Sequence, residues 1–437
     1  MVVVPLTAWL VVVGTLFFLY AAISKRLSTT IITGPMLFVT VGLIIGSSGA
    51  GILDVTIEHE GITLVFEATL AVVLFSDATA INSSNWRKEA AIPGRLLSWG
   101  LPLTILLGLA VALVMFTELD LWAAGLIAVI LAPTDAALGQ AVISNPRVPQ
   151  GIRQGLNVES GLNDGVALPI VLVLLGAAEE AASGGSFGEL VSFIGQEVLI
   201  AAVVGIAIGW IGGTVLVQVA KRDWVAALWL QLGALALAIA AYGLTVSLGG
   251  SGFVAVWLTG LLLGRTTRGE LEEVSGFSET LGSGLTMTSF LVFGAVILGT
   301  VVSDLTWQIA LYAALSLTVI RMIPVALAMM GSGLHRVSVL YLGWFGPRGL
   351  ASIIFAGLVV ESSDLPNASL IVTVAMVTVG VSVYAHGATS WIGSESYADW
   401  WERHEAVTPQ TTEKRSTPDV NVPQRFRAAG TSKSSPE

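Results

Sequence analysis

Three carboxylates stand where an apolar chain can least tolerate them: Asp135, Glu159 and Asp164. Asp135 follows Pro133-Thr134 near the middle of the apolar segment 121–143. Glu159, Ser160, Asn163 and Asp164 open the apolar segment 155–177. At 3.6 residues per turn those four lie within about 140° of one another, on one face of a helix. A charged group at the centre of a bilayer costs about 2.5–3.5 kcal/mol by insertion scales, so carboxylates at that depth persist because they bind something. The simplest partners are a small cation and the proton that competes with it. Hard cations such as Na⁺ take oxygen ligands, and Thr134, Asp135, Glu159, Ser160 and Asp164 supply a suitable set.

Pro133 removes a backbone donor and pushes its predecessor towards extended geometry, which predicts a break in the helix there. A second break is expected at Gly343-Trp344-Phe345-Gly346-Pro347-Arg348-Gly349. Broken backbone at membrane depth is tolerated where protein buries it or where it lines a wet cavity. Unwound carbonyls and half-helix ends can then join Asp135 as ligands. Arg321, inside the apolar segment 306–330, needs an anionic partner. Glu159 is assigned that role, with Asn163 one turn later as its hydrogen-bonding neighbour, and Asp164 is left to load and unload. Glu67 and Asp77 form a weaker case: Asp77 lies near one end of its segment, and Glu67 near the other. His335 and His404 flank apolar segments and read as solvated loop histidines.

The elements that must position these groups follow from composition. Of 437 residues, 54% are hydrophobic and only 11% charged, with mean hydropathy +0.83; soluble domains carry about 25% charged residues. The pattern is that of an all-α polytopic membrane protein. With no cysteine there is no disulfide or thiolate metal site, and four histidines, well separated, argue against a histidine metal centre. The net charge of −10 gives no footprint for nucleic acid.

Apolar runs predict thirteen transmembrane segments, near 4–23, 31–52, 62–82, 96–116, 121–143, 155–177, 190–219, 224–247, 251–264, 283–302, 306–330, 337–360 and 367–389. No basic stretch precedes the first, whereas Lys25-Arg26 follow it, the wrong polarity for a cleaved signal. Every Lys and Arg before residue 390 falls in alternate loops, except Arg321 and Arg348, which lie inside helices. By the positive-inside rule the N-terminus is external and the C-terminus cytoplasmic. The two breaks lie seven segments apart and so run in opposite directions. That predicts inverted six-helix repeats, 1–182 and 223–392, joined by a linking helix at 183–222, with interrupted helices 5 and 12. Tyr397, Trp400 and Trp401 suit an interface anchor. The tail, 393–437, reads as largely disordered from 407 onwards, being rich in Pro, Ser, Thr and charge.

Thr134-Asp135 followed by Glu159-Ser160-Gly161-Leu162-Asn163-Asp164-Gly165 closely resembles the motif pair of the NhaP-type sodium/proton antiporters. These form the type 1 branch of the monovalent cation:proton antiporter superfamily. FLVFGAVILG at 290–299, RMIP at 321–324 and GPRGLAS at 346–352 also resemble that branch, and the likeness runs from residue 1 to about 390. It implies a thirteen-helix inverted-repeat fold, a homodimer in the cell membrane surrounded by lipid, and exchange of Na⁺ or Li⁺ for H⁺ with no cofactor and no enzymatic step. It further implies that Asp164 is the alternating carrier and that Thr134, Glu159 and Ser160 complete the Na⁺ site. Asn163 and Arg321 would hold the glutamate in place, with Arg348 supporting the site. The type 2 branch has Asp-Asp where this chain has Asn163-Asp164, so the resemblance implies electroneutral one-for-one exchange. One departure is Ser76-Asp77-Ala78, where many relatives carry Glu-Gly-Gly. A K⁺/H⁺ antiporter would use the same residues; a gated cation channel and a non-transporting sensor are the readings from other classes.

Overall fold

The computed structural model describes residues 6–52, 60–80, 91–183, 187–267, 274–361, 365–405 and 413. Among them there is no strand. Fifteen helices carry the chain: α1 (Leu6–Leu27), α2 (Gly34–Ile45), α3 (Glu60–Ala80), α4 (Ala91–Met115), α5 (Leu121–Ile130), α6 (Gln140–Ser144), α7 (Gln150–Ser183), α8 (Phe187–Lys221), α9 (Ala227–Ser247), α10 (Gly252–Thr267), α11 (Gly276–Asp304), α12 (Trp307–Ala328), α13 (Arg336–Trp344), α14 (Leu350–Glu361) and α15 (Ala368–Glu405).

Several helices begin where a side chain can meet the orphaned amides of the first turn. Thr33 caps α2 ahead of Pro35, Asp120 caps α5 through Ala123 N at 2.8 Å, and Thr306 caps α12. Nine of the described helices are long and apolar enough to cross a membrane; α2, α5, α10 and α14 are apolar but shorter. Length and composition alone therefore assign nine spans where thirteen were expected. The outer helices present large apolar side chains outwards, such as Phe18 on α1 and Trp210 on α8, as lipid requires. The core instead gathers α3, α5, α7, α11, α14 and α15.

Both expected breaks are present. Helix α5 ends at Ile130, the chain runs through turns, and α6 resumes at Gln140; α13 ends at Trp344 and α14 starts at Leu350. The halves α5 and α14 lie on the side of the acidic loop residues Glu118, Asp120 and Glu361. Arg147 and Arg336 mark the opposite end, at α6 and α13. Helix α7 packs beside the first break and α15 beside the second.

Three expectations about the chain's later part change. Helix α15 continues to Glu405, beyond the expected end of its apolar segment at 389. Its end is tied to the loop before α7 by Arg147, which pairs with Glu395 at 2.7 Å, Glu402 at 2.8 Å and Asp399. Glu402 above all, and Asp399 with it, hold the Arg147 guanidinium above its ordinary pKa. Glu413, in the stretch expected to be disordered, is buried and accepts hydrogen bonds from His335 N at 2.8 Å and Ser338 Oγ at 3.0 Å; the remainder of the tail lies outside the described residues. His335 is exposed, as expected, whereas His404 lies within α15 and is half-buried. Their rings lie 4.8 Å apart, and Trp400 stacks on His404 at 5.0 Å.

Candidate functional site

The two breaks cross, and each supplies what the other lacks. Breaking α5 strips the carbonyls at its C-terminal end of intrahelical partners and leaves a partial negative charge there. Ile130 O accepts from Ser352 Oγ at 2.7 Å, and Ala132 O and Pro133 O accept from Arg348 Nη1 at 2.7 and 3.2 Å. Breaking the second helix leaves the N-terminus of α14 with unpaired amides and a partial positive charge. Here Asp135 Oδ2 accepts from Leu350 N at 2.9 Å, while Asp135 Oδ1 accepts from Ala137 N at 2.8 Å. Asp135 N in turn donates to Pro347 O at 2.8 Å. Each helix end thus receives the opposite charge from the other break.

The GPRG sequence allows this approach. A Cβ at Gly349 would run into the Asp135 carboxyl group, and one at Gly346 into the Arg321 guanidinium. Arg348 and Arg321 are among the largest fully buried side chains described.

Helix α7 closes the site from one side. Ser160 Oγ accepts from Ala136 N and donates to Thr134 O, both at 2.8 Å, so one hydroxyl spans the first break. Glu159 faces Arg321 in a bidentate pair, Oε1 to Nη1 at 2.6 Å and Oε2 to Nη2 at 2.7 Å, with both side chains at most 2% exposed. Asn163 departs from its expected place: its Nδ2 donates to Thr134 Oγ1 at 2.8 Å, so among the described hydrogen bonds it holds the threonine and not Glu159. Two buried acceptors on this face, Asp164 Oδ1 and Asn163 Oδ1, meet no donor. An orphaned buried carboxylate oxygen is costly, and it is what a proton or a cation would satisfy.

The structure therefore brings Thr134, Asp135, Glu159, Ser160, Asn163, Asp164, Arg321 and Arg348 into one cluster at the crossing. It commits both oxygens of Glu159 to Arg321 and both oxygens of Asp135 to backbone amides. Asp164 is the cluster carboxylate with an oxygen left over. A narrow cleft reaches it, lined by Asp77, Asp135, Ser160, Asp164 and Thr286 among others. Asp77 backs onto Gly161, where a Cβ would lie 3.2 Å from its own Cβ. Glu67 does not line that cleft.

His386 escaped the sequence reading. It lies within the apolar segment 367–389, and the test that singled out Arg321, a titratable group inside an apolar run, would have found it.

Residues 12–392 match the family described as "Sodium/hydrogen exchanger, transmembrane". Among curated proteins, the chain is similar to the K(+)/H(+) antiporter NhaP of Alkalimonas amylolytica, 26% identical over 386 residues, covering 86% of this chain and 65% of that one. It is also similar to the K(+)/H(+) antiporter NhaP2 of Shewanella sp. (strain ANA-3), 27% identical over 383 residues, covering 85% and 63%. The chain thus spans somewhat under two thirds of the length of these relatives. Among solved structures, the sodium proton antiporter MjNhaP1 from Methanocaldococcus jannaschii at pH 8 superposes with a TM-score of 0.68 at 21% identity, covering 90% of this chain and 99% of that one. At that identity the likeness speaks to the fold.

Proposed function

Because this chain belongs to the sodium/hydrogen exchanger family, we propose that it is a secondary antiporter that exchanges Na⁺ or Li⁺ for H⁺ across the cell membrane by alternating access. The observation that carries this reading is the buried, donorless Asp164 Oδ1 beside a glutamate already neutralised by Arg321. In the proton-loaded state Asp164 holds the proton. Loss of that proton creates a carboxylate, and Thr134, Ser160 and Asn163 supply neutral oxygens within the same cluster. A cation and a proton cannot both neutralise one carboxylate, so binding one releases the other and coupling needs no ATP.

The same geometry supports electroneutral exchange. Glu159 keeps Arg321 as its counter-ion throughout, and Asp135 remains set against the N-terminus of α14. One group alone changes partner, so one H⁺ moves for each monovalent cation. The charge pattern of the loops supports an external N-terminus and a cytoplasmic C-terminus, thirteen crossings when the four short helices are counted, and inverted repeats about the linking helix α8. A homodimer is proposed from the family resemblance.

K⁺/H⁺ exchange is the second reading, favoured by the two relatives that are named K(+)/H(+) antiporters. The test uses the full chain in proteoliposomes with an internal pH-sensitive dye and an imposed pH gradient, into which Na⁺, Li⁺ or K⁺ is titrated. Cation-driven proton movement in the wild type and none in Asp164→Asn supports the reading; the ion with the lowest half-saturating concentration identifies the substrate. Uncoupled cation conductance would favour a channel, and retained exchange in a folded Asp164→Asn protein would remove Asp164 from its role.

A further inference from the structure

A buried histidine that the exchange reaction does not use spans the second break. His386, on α15, is fully buried, as are Ser382 one turn before it and Arg348. Its Nε2 lies 3.0 Å from Trp344 O, the last carbonyl of α13. Its Nδ1 lies 3.1 Å from Ser382 Oγ, which accepts from Arg348 N at 2.7 Å.

The donor pattern assigns the tautomer. Nδ1 also lies 3.2 Å from Ser382 O, but the Ser382 hydroxyl gives it a donor, whereas Nε2 faces only the Trp344 carbonyl, which can only accept. In a neutral ring the proton therefore sits on Nε2 and Nδ1 accepts. Ser382 Oγ already accepts from Arg348 N–H, and its own proton is available for Nδ1. A continuous chain results: Arg348 N–H to Ser382, Ser382 O–H to His386, His386 N–H to Trp344 O. It joins the carbonyl that closes α13 to an amide just before α14, across Phe345, Gly346 and Pro347. Trp344 is further held by Nε1 donating to Thr389 Oγ1 at 3.0 Å.

Within the first break Ser160 alone makes a comparable bridge, between Thr134 O and Ala136 N. Those groups are two positions apart in sequence, against four in the second break. The longer reach between the bridged groups calls for two side chains in series. Helices α7 and α15 occupy corresponding positions beside the two breaks, so the place that holds the cation-exchange face in one holds a hydrogen-bonded bridge in the other.

The bridge bears on Asp164 through the crossing. The segment it holds supplies Pro347 O to Asp135 N, Leu350 N to Asp135 Oδ2, and Arg348 Nη1 to the carbonyls of Ala132 and Pro133. Thr134 stands between those contacts, tied to Asn163 and Ser160. We propose that His386, as the neutral Nε2–H tautomer, is a positioning residue that locks the second break through Ser382 and thereby sets the cation affinity at Asp164. This inference rests on the antiport reading of that site.

The experiment titrates Na⁺ and K⁺ against an imposed pH gradient in proteoliposomes of the full-length wild type, His386→Ala, His386→Gln and Ser382→Ala. Hydrogen–deuterium exchange of the same proteins is read over 132–137 and 344–350. His386→Ala is expected to raise the half-saturating cation concentration about fivefold or more, with little change in maximal rate. Glutamine, neutral and able to donate from the place of Nε2, is expected to bring it back near wild type. Ser382→Ala is expected to shift affinity in the same direction, and it decides the matter if His386→Ala does not fold. Deuterium uptake is expected to rise over both segments in His386→Ala and in neither in His386→Gln. Unchanged affinity in folded His386→Ala or Ser382→Ala, equal impairment by alanine and glutamine, or faster exchange at 344–350 alone would each overturn the proposal. A wild type with no cation-driven proton movement would instead overturn the antiport reading, and the deuterium pattern alone would then decide whether His386 holds both breaks.

Discussion

Truncating Arg321 tests how the site divides its charges. Both guanidinium amino groups meet Glu159, at 2.6 and 2.7 Å, and the pair is almost wholly removed from solvent. Arg321→Ala leaves the carboxylate buried without its counter-ion, and removing one member of such a pair costs roughly 3–5 kcal/mol. Adding Glu159→Gln removes the stranded charge and leaves a neutral amide, whose unmet polar atoms cost about 1–3 kcal/mol. The double variant should therefore be more stable than Arg321→Ala by roughly 2 kcal/mol, although it carries one more substitution. Glu159→Gln alone strands the guanidinium, so the two single effects should be strongly non-additive. The measurement is unfolding of purified protein in detergent, followed by tryptophan fluorescence, with monodispersity checked by size-exclusion chromatography. Equal stability of Arg321→Ala and the double variant, or simple addition of the single effects, would refute the pairing as the device that neutralises Glu159.

Asp135→Asn replaces one of two accepting oxygens by a donor that faces a backbone amide, so it should lower stability by about 1–3 kcal/mol. Asp164→Asn should leave unfolding unchanged; a larger loss in Asp164→Asn than in Asp135→Asn would reverse the roles assigned to the two aspartates. Gly349→Ala should depress transport and stability together, because its methyl group meets the Asp135 carboxyl; a fully active alanine variant would show that the crossing is looser than described. With the membrane potential clamped at zero and then at a large negative value, exchange at fixed ion gradients should proceed at the same rate. Asn163→Asp should remain voltage-insensitive, with altered pH dependence or lower stability. A voltage response in the wild type would refute one-for-one exchange, and a response in Asn163→Asp alone would show that position 163 sets the charge count.

The amino-acid sequence by itself determined the class of molecule, the two breaks and the polar residues that gather at their crossing. Those properties are local. An apolar run long enough to span lipid, a proline without its N–H, and the cost of burying a carboxylate can all be read from consecutive residues. The assignment of Glu159 to Arg321 was also reached, because a buried cation must find an anion and few were available. What each oxygen does was settled only by the tertiary structure. The crossing places Asp135 against Leu350 N, 215 positions away. Asn163 sits one turn from Glu159, yet the approach of the first break gives its amide to Thr134. His386 acquires meaning only because α15 lies beside a gap whose two ends it can reach. Hydrogen bonds between segments so far apart depend on how the broken helices cross, and that geometry is decided by packing the whole bundle, with glycine at 346 and 349 making room where the chains meet.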